Sequence, residues 1–205
     1  FLGFIVQRKQ NVLHFLLQAK IEPGNLNVIQ LSPTLQATRS NYTRVHKGRS
    51  PLYLEYFTGE KKVEILVDQL QSEQGARFYQ KRNRNIIVEV DENEELPVYE
   101  NFVWASLGQI KELLTYPNVI NMDTRTVISC IQYGNYSEKD LQLLSVFRLD
   151  TNLGHSDSFL YSVLSSDNHY NTMNSIIRWL TSLKFKYELN VDKIGLSEMN
   201  NWIYD

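Results

Sequence analysis

The sequence predicts an α+β fold, a mixed β-sheet with helices packed on it. Two observations carry that expectation. Short apolar runs bounded by turn residues fill residues 1–90, and helical patterns with capping residues follow after residue 105.

Taken in order, residues 4–6 and 12–19 read as two strands joined by the polar turn Gln7-Arg8-Lys9-Gln10-Asn11. Val12, Phe15 and Leu16 mix the helical and strand periods. Glu22-Pro23-Gly24-Asn25 is a turn signal. Val28-Ile29-Gln30-Leu31 is a short strand that stops at Ser32-Pro33, because the residue before a proline avoids the helical region. Residues 34–48 are almost all polar, and a loop of that length is expected to be functional or flexible. Residues 53–57 and 63–67 read as strands around Thr58-Gly59-Glu60. Residues 86–90 read as another strand, entered from the basic segment 77–84 and left through the acidic loop 91–97.

Ser106 is the expected N-cap of a helix over 107–115, with Leu107, Ile110, Leu113 and Leu114 on one face. A second helix over 122–131 places Cys130 toward the core. Ser137 with Asp140 caps a third through Val146. Residues 151–168 are polar and broken and read as a linker before an amphipathic helix over 171–184 carrying Ile176, Ile177, Leu180 and Leu183. The division expected is one module over 1–150, then a linker and helix over 151–205. The opening Phe1-Leu2-Gly3-Phe4-Ile5-Val6 lacks a Met and reads as the interior of a domain, so the module is expected to be truncated at its N-terminus.

A chain of 205 residues with 42% hydrophobic and 21% charged residues can bury an ordinary core. A net charge of −2 argues against a general nucleic-acid binder, which needs a basic excess to meet phosphates. No apolar run approaches the roughly 20 residues of a membrane span. The single cysteine permits no internal disulfide and fits a reducing compartment, so a cytoplasmic location is expected. His14, His46, His155 and His169 are scattered, without zinc spacing, and no metal site is expected. No glycine-rich phosphate loop and no Gly-x-Ser-x-Gly elbow occurs.

Three constellations carry chemistry. Lys20 and Glu22 alternate at a strand end before a tight turn, as an acid and base on one face or as a solvated edge pair. Gln36-Ala37-Thr38-Arg39-Ser40-Asn41-Tyr42-Thr43-Arg44 gathers guanidinium forks, hydroxyls and amides suited to a diphosphate, or forms an ordinary polar loop. Gln71-Ser72-Glu73-Gln74-Gly75 leads into Lys81-Arg82-Asn83-Arg84-Asn85. In an extended chain Arg82 and Arg84 share a face, although a solvated charge run is the commoner fate of such a cluster.

In order, the runs LLQAKIEPGNLNVIQLSPTLQATRSNYTRVHKG, YLEYF, LQSEQGARFYQKRNRNIIVEV, FVWASLGQIKELL and NMDTRTVISC resemble the NDP-hexose 2,3-dehydratase family, almost without a break over residues 1–131. The resemblance implies the first of two fused Nudix-like modules, without the Nudix metal box, and residues 176–202 look like the link to the second. It implies a lyase that removes water across C2 and C3 of a 4-keto-6-deoxyhexose on dTDP, with no cofactor. A nucleotide-sugar-binding repeat without catalysis is the alternative, and a purely structural module leaves the arginine-rich loops unused. Under this resemblance Thr38, Arg39, Ser40, Asn41, Tyr42, Ser72, Arg82 and Arg84 are expected to bind the nucleotide sugar. Glu73 is the expected base near C3, Tyr42 a hydroxyl donor, and Lys20 the alternative acid or oxyanion partner. Gly75 is expected to allow close backbone approach to a ligand. A homodimer is expected for the intact enzyme.

Overall fold

The computed structural model describes residues 1–38, 50–133, 155–164, 169–188, 190 and 192. Strand β1 (Leu2–Lys9) turns into β2 (Val12–Ile21) through Gln10 and Asn11, whose φ values of 48° and 67° are both left-handed. A two-residue turn of that hand matches the twist of antiparallel strands. After β3 (Ile29–Ser32) and β4 (Leu35–Gln36) comes a single helical turn, α1 (Glu55–Thr58). The hairpin β5 (Glu64–Ser72) and β6 (Arg82–Val90) follows, then β7 (Phe102–Ser106). The later helices are α2 (Leu107–Leu113), α3 (Met122–Ser129), α4 (Ser156–Leu164) and α5 (Met173–Lys186). The architecture is mixed α+β.

Among the described residues seven strands make one sheet with the path β3-β2-β1-β6-β5, while β4 pairs β1 and β7 pairs β2. β1 runs antiparallel to β2 and parallel to β6, with Leu2 opposite Asn85 and Gln7 opposite Val90. Both faces of this sheet are covered. Phe4, Val6, Leu13, Phe15, Leu17 and Ile87 point into a core shared with α2, α3, α4 and α5. Ile5, Leu16, Ile86, Val88, Phe102 and Trp104 point the other way, onto Tyr53, Tyr56 and Phe57 around α1. Burial on two faces makes a strand read as a continuous apolar run, which is why Val12, Phe15 and Leu16 showed no single period.

Several local expectations are corrected. Residues 53–57 do not form a strand. Tyr53 has φ 63°, α1 begins at Glu55, and Gly59 closes it in the left-handed region at φ 88°. A short aromatic run carries no period that separates a buried strand from a buried helical turn. Residues 102–106, of which only Ser106 carried an expectation, as a helix N-cap, form β7 at the side of β2. The polar stretch 151–168 contains α4, whose Phe159 is buried. Ser162 Oγ donates to the Leu13 carbonyl at 2.6 Å and accepts from the Leu107 amide at 3.1 Å, so α4 is fastened to β2 and α2. The helix capped by Ser137 and Asp140 lies outside the described residues.

Ser106 caps α2 with the full reciprocal pair: its hydroxyl accepts from the Gln109 amide, and Gln109 Oε1 accepts from the Ser106 amide at 3.0 Å. Gln109 Nε2 also donates to the Asn171 carbonyl at 2.7 Å, tying α2 to the approach of α5. Cys130 is buried, as its apolar neighbours suggested.

Candidate functional site: a basic cleft at the end of the sheet

The residues that open β1, end β2 and β4, and form the β5–β6 hairpin meet the first turn of α3 around a cleft of about 700 Å³. Its walls include Lys20, Gln36, Thr38, Glu73, Lys81, Arg82, Arg84 and Asp123. Four basic side chains face two carboxylates there, an excess suited to a polyanionic ligand.

Each wall has a local cause. β5 and β6 pair antiparallel from Glu64↔Glu89 to Ser72↔Arg82, which holds the basic run of β6 extended. Residues two apart on a strand share a face, and Arg82 and Arg84 both reach the cleft. Arg84 grips Asp68 through two bonds, Nε to Oδ1 at 2.7 Å and Nη2 to Oδ2 at 2.5 Å, with its guanidinium 5.4 Å from the centre of the Phe1 ring. Arg82 makes no ion pair among the described residues. Glu73 accepts from Lys81 Nζ at 2.8 Å and from Asn83 Nδ2 at 3.2 Å. Lys20 stands 3.8 Å from Glu22.

Of the residues singled out in the sequence, Lys20, Thr38, Glu73, Arg82 and Arg84 line this one cleft. Ser72 sits opposite Arg82 in the ladder but is not among the lining residues. Arg39, Ser40, Asn41 and Tyr42 lie outside the described residues. A Cβ placed on Gly75 would meet nothing within 4 Å, so no protein packing demands glycine there.

A family profile described as NDP-hexose 2,3-dehydratase matches residues 1–131, which include every described wall of the cleft. The chain belongs to the NDP-hexose 2,3-dehydratase family.

Three relatives, each named dTDP-4-dehydro-6-deoxy-alpha-D-glucopyranose 2,3-dehydratase, show how far the likeness runs. The one from Saccharopolyspora spinosa is 44% identical over 204 residues, 98% of this chain and 40% of that protein. The one from Amycolatopsis orientalis is 47% identical over 150 residues, 71% of this chain and 31% of that protein. The one from Streptomyces violaceoruber is 49% identical over 132 residues, 62% of this chain and 29% of that protein. The chain therefore spans two fifths or less of the length of these dehydratases.

Within this family cleft the sequence reading missed Asp123. It stands in the first turn of α3, capped by Asn121, whose Oδ1 accepts from the Thr124 amide at 2.9 Å. Asn121 Nδ2 donates to Gln36 Oε1 at 3.2 Å, and Gln36 Nε2 donates to Glu22 Oε1 at 3.0 Å. That relay joins the cap of α3 to β4 and to the turn that leaves β2, and fixes the helix start at the rim. Burial, then the carboxylates of Glu22 and Glu73, push the Asp123 carboxyl above the usual range, against the opposing pull of Lys20. The only sequence signal was an Asn followed two residues on by an Asp at a helix start, which reads as ordinary capping.

Proposed function

We propose that the protein to which this chain belongs eliminates water across C2 and C3 of a nucleoside-diphosphate 4-keto-6-deoxyhexose, with dTDP as the carrier, in deoxysugar biosynthesis. The observation that carries this reading is the cleft: Lys20, Thr38 and the hairpin residues Glu73, Arg82 and Arg84, from three stretches of the chain, line one basic cavity in a chain of the dehydratase family. The names of the relatives supply the dTDP-linked hexose.

The chemistry asks little of the protein. The C4 carbonyl acidifies the C3 proton, a base takes it, an oxyanion must be stabilised, and an acid helps the C2 hydroxyl leave. In this proposal Thr38, Arg82 and Arg84 hold the diphosphate, with Arg39, Ser40, Asn41 and Tyr42 following Thr38 in the chain. Ser72 supports the hairpin side. Glu73 is the base toward C3, and Lys20 faces the oxyanion. The nucleotide supplies binding energy remote from the reacting carbons. The same proposal makes the chain one of two Nudix-like copies in a cytoplasmic homodimer. A monomer by light scattering of the intact protein would remove the dimer from it.

The test is turnover by the full-length protein of dTDP-4-keto-6-deoxyglucose, followed by mass spectrometry for loss of one water. Bound substrate that comes back unchanged would refute the lyase. A second reading, a binding repeat without chemistry, draws on the commitment of Glu73 to Lys81 and Asn83. It predicts that Glu73→Gln leaves turnover intact. The lyase reading with Glu73 as base predicts a loss on the order of 100-fold or more with dTDP affinity retained.

A further inference from the structure

We propose that Asp123 is the general acid of this cleft, giving its proton to the C2 hydroxyl of the hexose as that group departs. The inference rests on the dehydratase reading above and adds a residue and a step to it.

Geometry singles Asp123 out. It lines the cleft from α3, half-buried, and its carboxyl makes no hydrogen bond or ion pair among the described residues. The other carboxylate of the lining, Glu73, is held by Lys81 and Asn83. Three of the four cations, Lys81, Arg82 and Arg84, belong to the hairpin, whereas Lys20 stands on β2 and Asp123 comes from a helix. A diphosphate drawn to the hairpin leaves its hexose for another wall. The backbone that carries Asp123 is fixed: Asn121 caps the helix, and Thr124 Oγ1 donates to the Leu31 carbonyl at 3.1 Å.

The electrostatics agree. The charged side chains felt by Asp123 are Lys20 on β2, Glu22 just past the end of that strand, and Glu73 past the end of β5. Burial leads, and the net direction is upward, so the carboxyl keeps its proton to higher pH than a solvated aspartate. A carboxyl that holds its proton and makes no bond to a neighbour among the described residues is placed to donate it to a leaving group.

The base removes the C3 proton, and the C–H electrons become the second bond between C3 and C4 of an enolate, with the charge on the C4 oxygen. When the C4 carbonyl re-forms, those electrons move to make the C2–C3 double bond, and the C2–O bond breaks with its pair on oxygen. Asp123 protonates that oxygen and water leaves. Asp123 is then a carboxylate that regains a proton from solvent, while the base gives its proton up. C3 keeps its hydroxyl, so the product is an enol that ketonises to the 3,4-diketo sugar.

A leaving group that needs no proton tests this directly. Full-length wild type and Asp123→Asn would be assayed on dTDP-4-keto-6-deoxyglucose and on its 2-deoxy-2-fluoro analogue, with dTDP affinity measured beside them. The expected result is a loss of about 100-fold or more on the native substrate, a loss of under about 10-fold on the fluoride, and unchanged dTDP binding. The descending alkaline limb of the wild-type pH profile should also go. Equal losses on both substrates, or near-normal turnover of the native one, overturn the assignment. Wild type inactive on both substrates instead overturns the dehydratase reading itself. If Asp123→Asn does not fold, Asp123→Ser, compatible with a first helical turn, carries the same comparison.

Discussion

Gly3 sits in β1 directly beneath the Phe57 ring. A Cβ there would fall 2.3 Å from Cε1 of Phe57, closer than any relaxed contact. Gly3→Ala is therefore expected to cost about 1–3 kcal/mol by overpacking, read as a lower midpoint in urea with unchanged slope. Asp123 makes a residue-scale prediction of opposite sign. Its folded value is raised, so the stability tied to its protonated form is complete below the unfolded value of about 4 and drains away as pH rises through the folded value. The start of α3 favours the charged form by about 0.3–1 kcal/mol, yet the net direction is upward. Asp123→Asn should thus match wild type in acid and become the more stable protein as pH climbs toward neutrality. Thermal melts at several pH values would show it. A variant less stable than wild type at neutral pH would mean that the carboxylate serves the fold.

At the scale of elements, α2 is set by its first residue. Ser106 is fully buried and makes both bonds of its capping pair with Gln109. Ser106→Ala removes an accepting hydroxyl and should cost roughly 0.5–2 kcal/mol. Gly108→Ala acts on the same helix from another side, because its Cβ would lie 2.6 Å from the Val163 carbonyl oxygen and must push α4 away. Faster hydrogen exchange in 156–164 than in the sheet would record that parting. These elements were legible in the sequence to the degree that their causes are local. A Ser before a Leu107, Ile110, Leu113 pattern announces a capped helix, and the polar run Gln7 to Asn11 announces a turn, although Gln7, Arg8 and Lys9 prolong β1 and only Gln10 and Asn11 make the turn itself. Tyr53 to Phe57 were not legible, because the sheet face above them decides their conformation. α4 was hidden in a polar stretch since Phe159 and Ser162 acquire meaning only against Leu13 and Leu107. Asp123 was hidden for the same reason: its surroundings come from Glu22, Gln36 and Glu73, and no spacing rule joins them.

The whole molecule brings Lys20 and Thr38 to the same rim as Glu73, Arg82 and Arg84. Their chemistry is legible in the sequence, whereas their common rim is set by the pairing of distant strands. The cleft predicts how a nucleotide should respond to single changes. Arg82 has no carboxylate partner among the described residues, so Arg82→Ala strands nothing and should remove about 1.5–3 kcal/mol of dTDP binding while leaving the melting point nearly unchanged. Arg84→Ala also leaves Asp68 without its guanidinium, so affinity and stability should fall together. Calorimetric titration beside thermal melts separates the two cases. Equal behaviour of both variants would argue against a diphosphate seat on β6. Raising the salt should weaken dTDP binding in either background, since the attraction is between partly exposed charges.

The parallel seam between β1 and β6 has a kinetic consequence. Leu2 must find Asn85, a contact of long sequence separation, whereas β1 with β2 and β5 with β6 close as hairpins. Loop-closure entropy makes the seam a late event, after two locally assembled halves exist. The cleft straddles that seam, with Lys20 and Gln36 on one half and Glu73, Arg82 and Arg84 on the other. Neither half alone presents the cavity. A nucleotide that bridges the two would act as a clasp, slowing their separation and holding back the first step of unfolding.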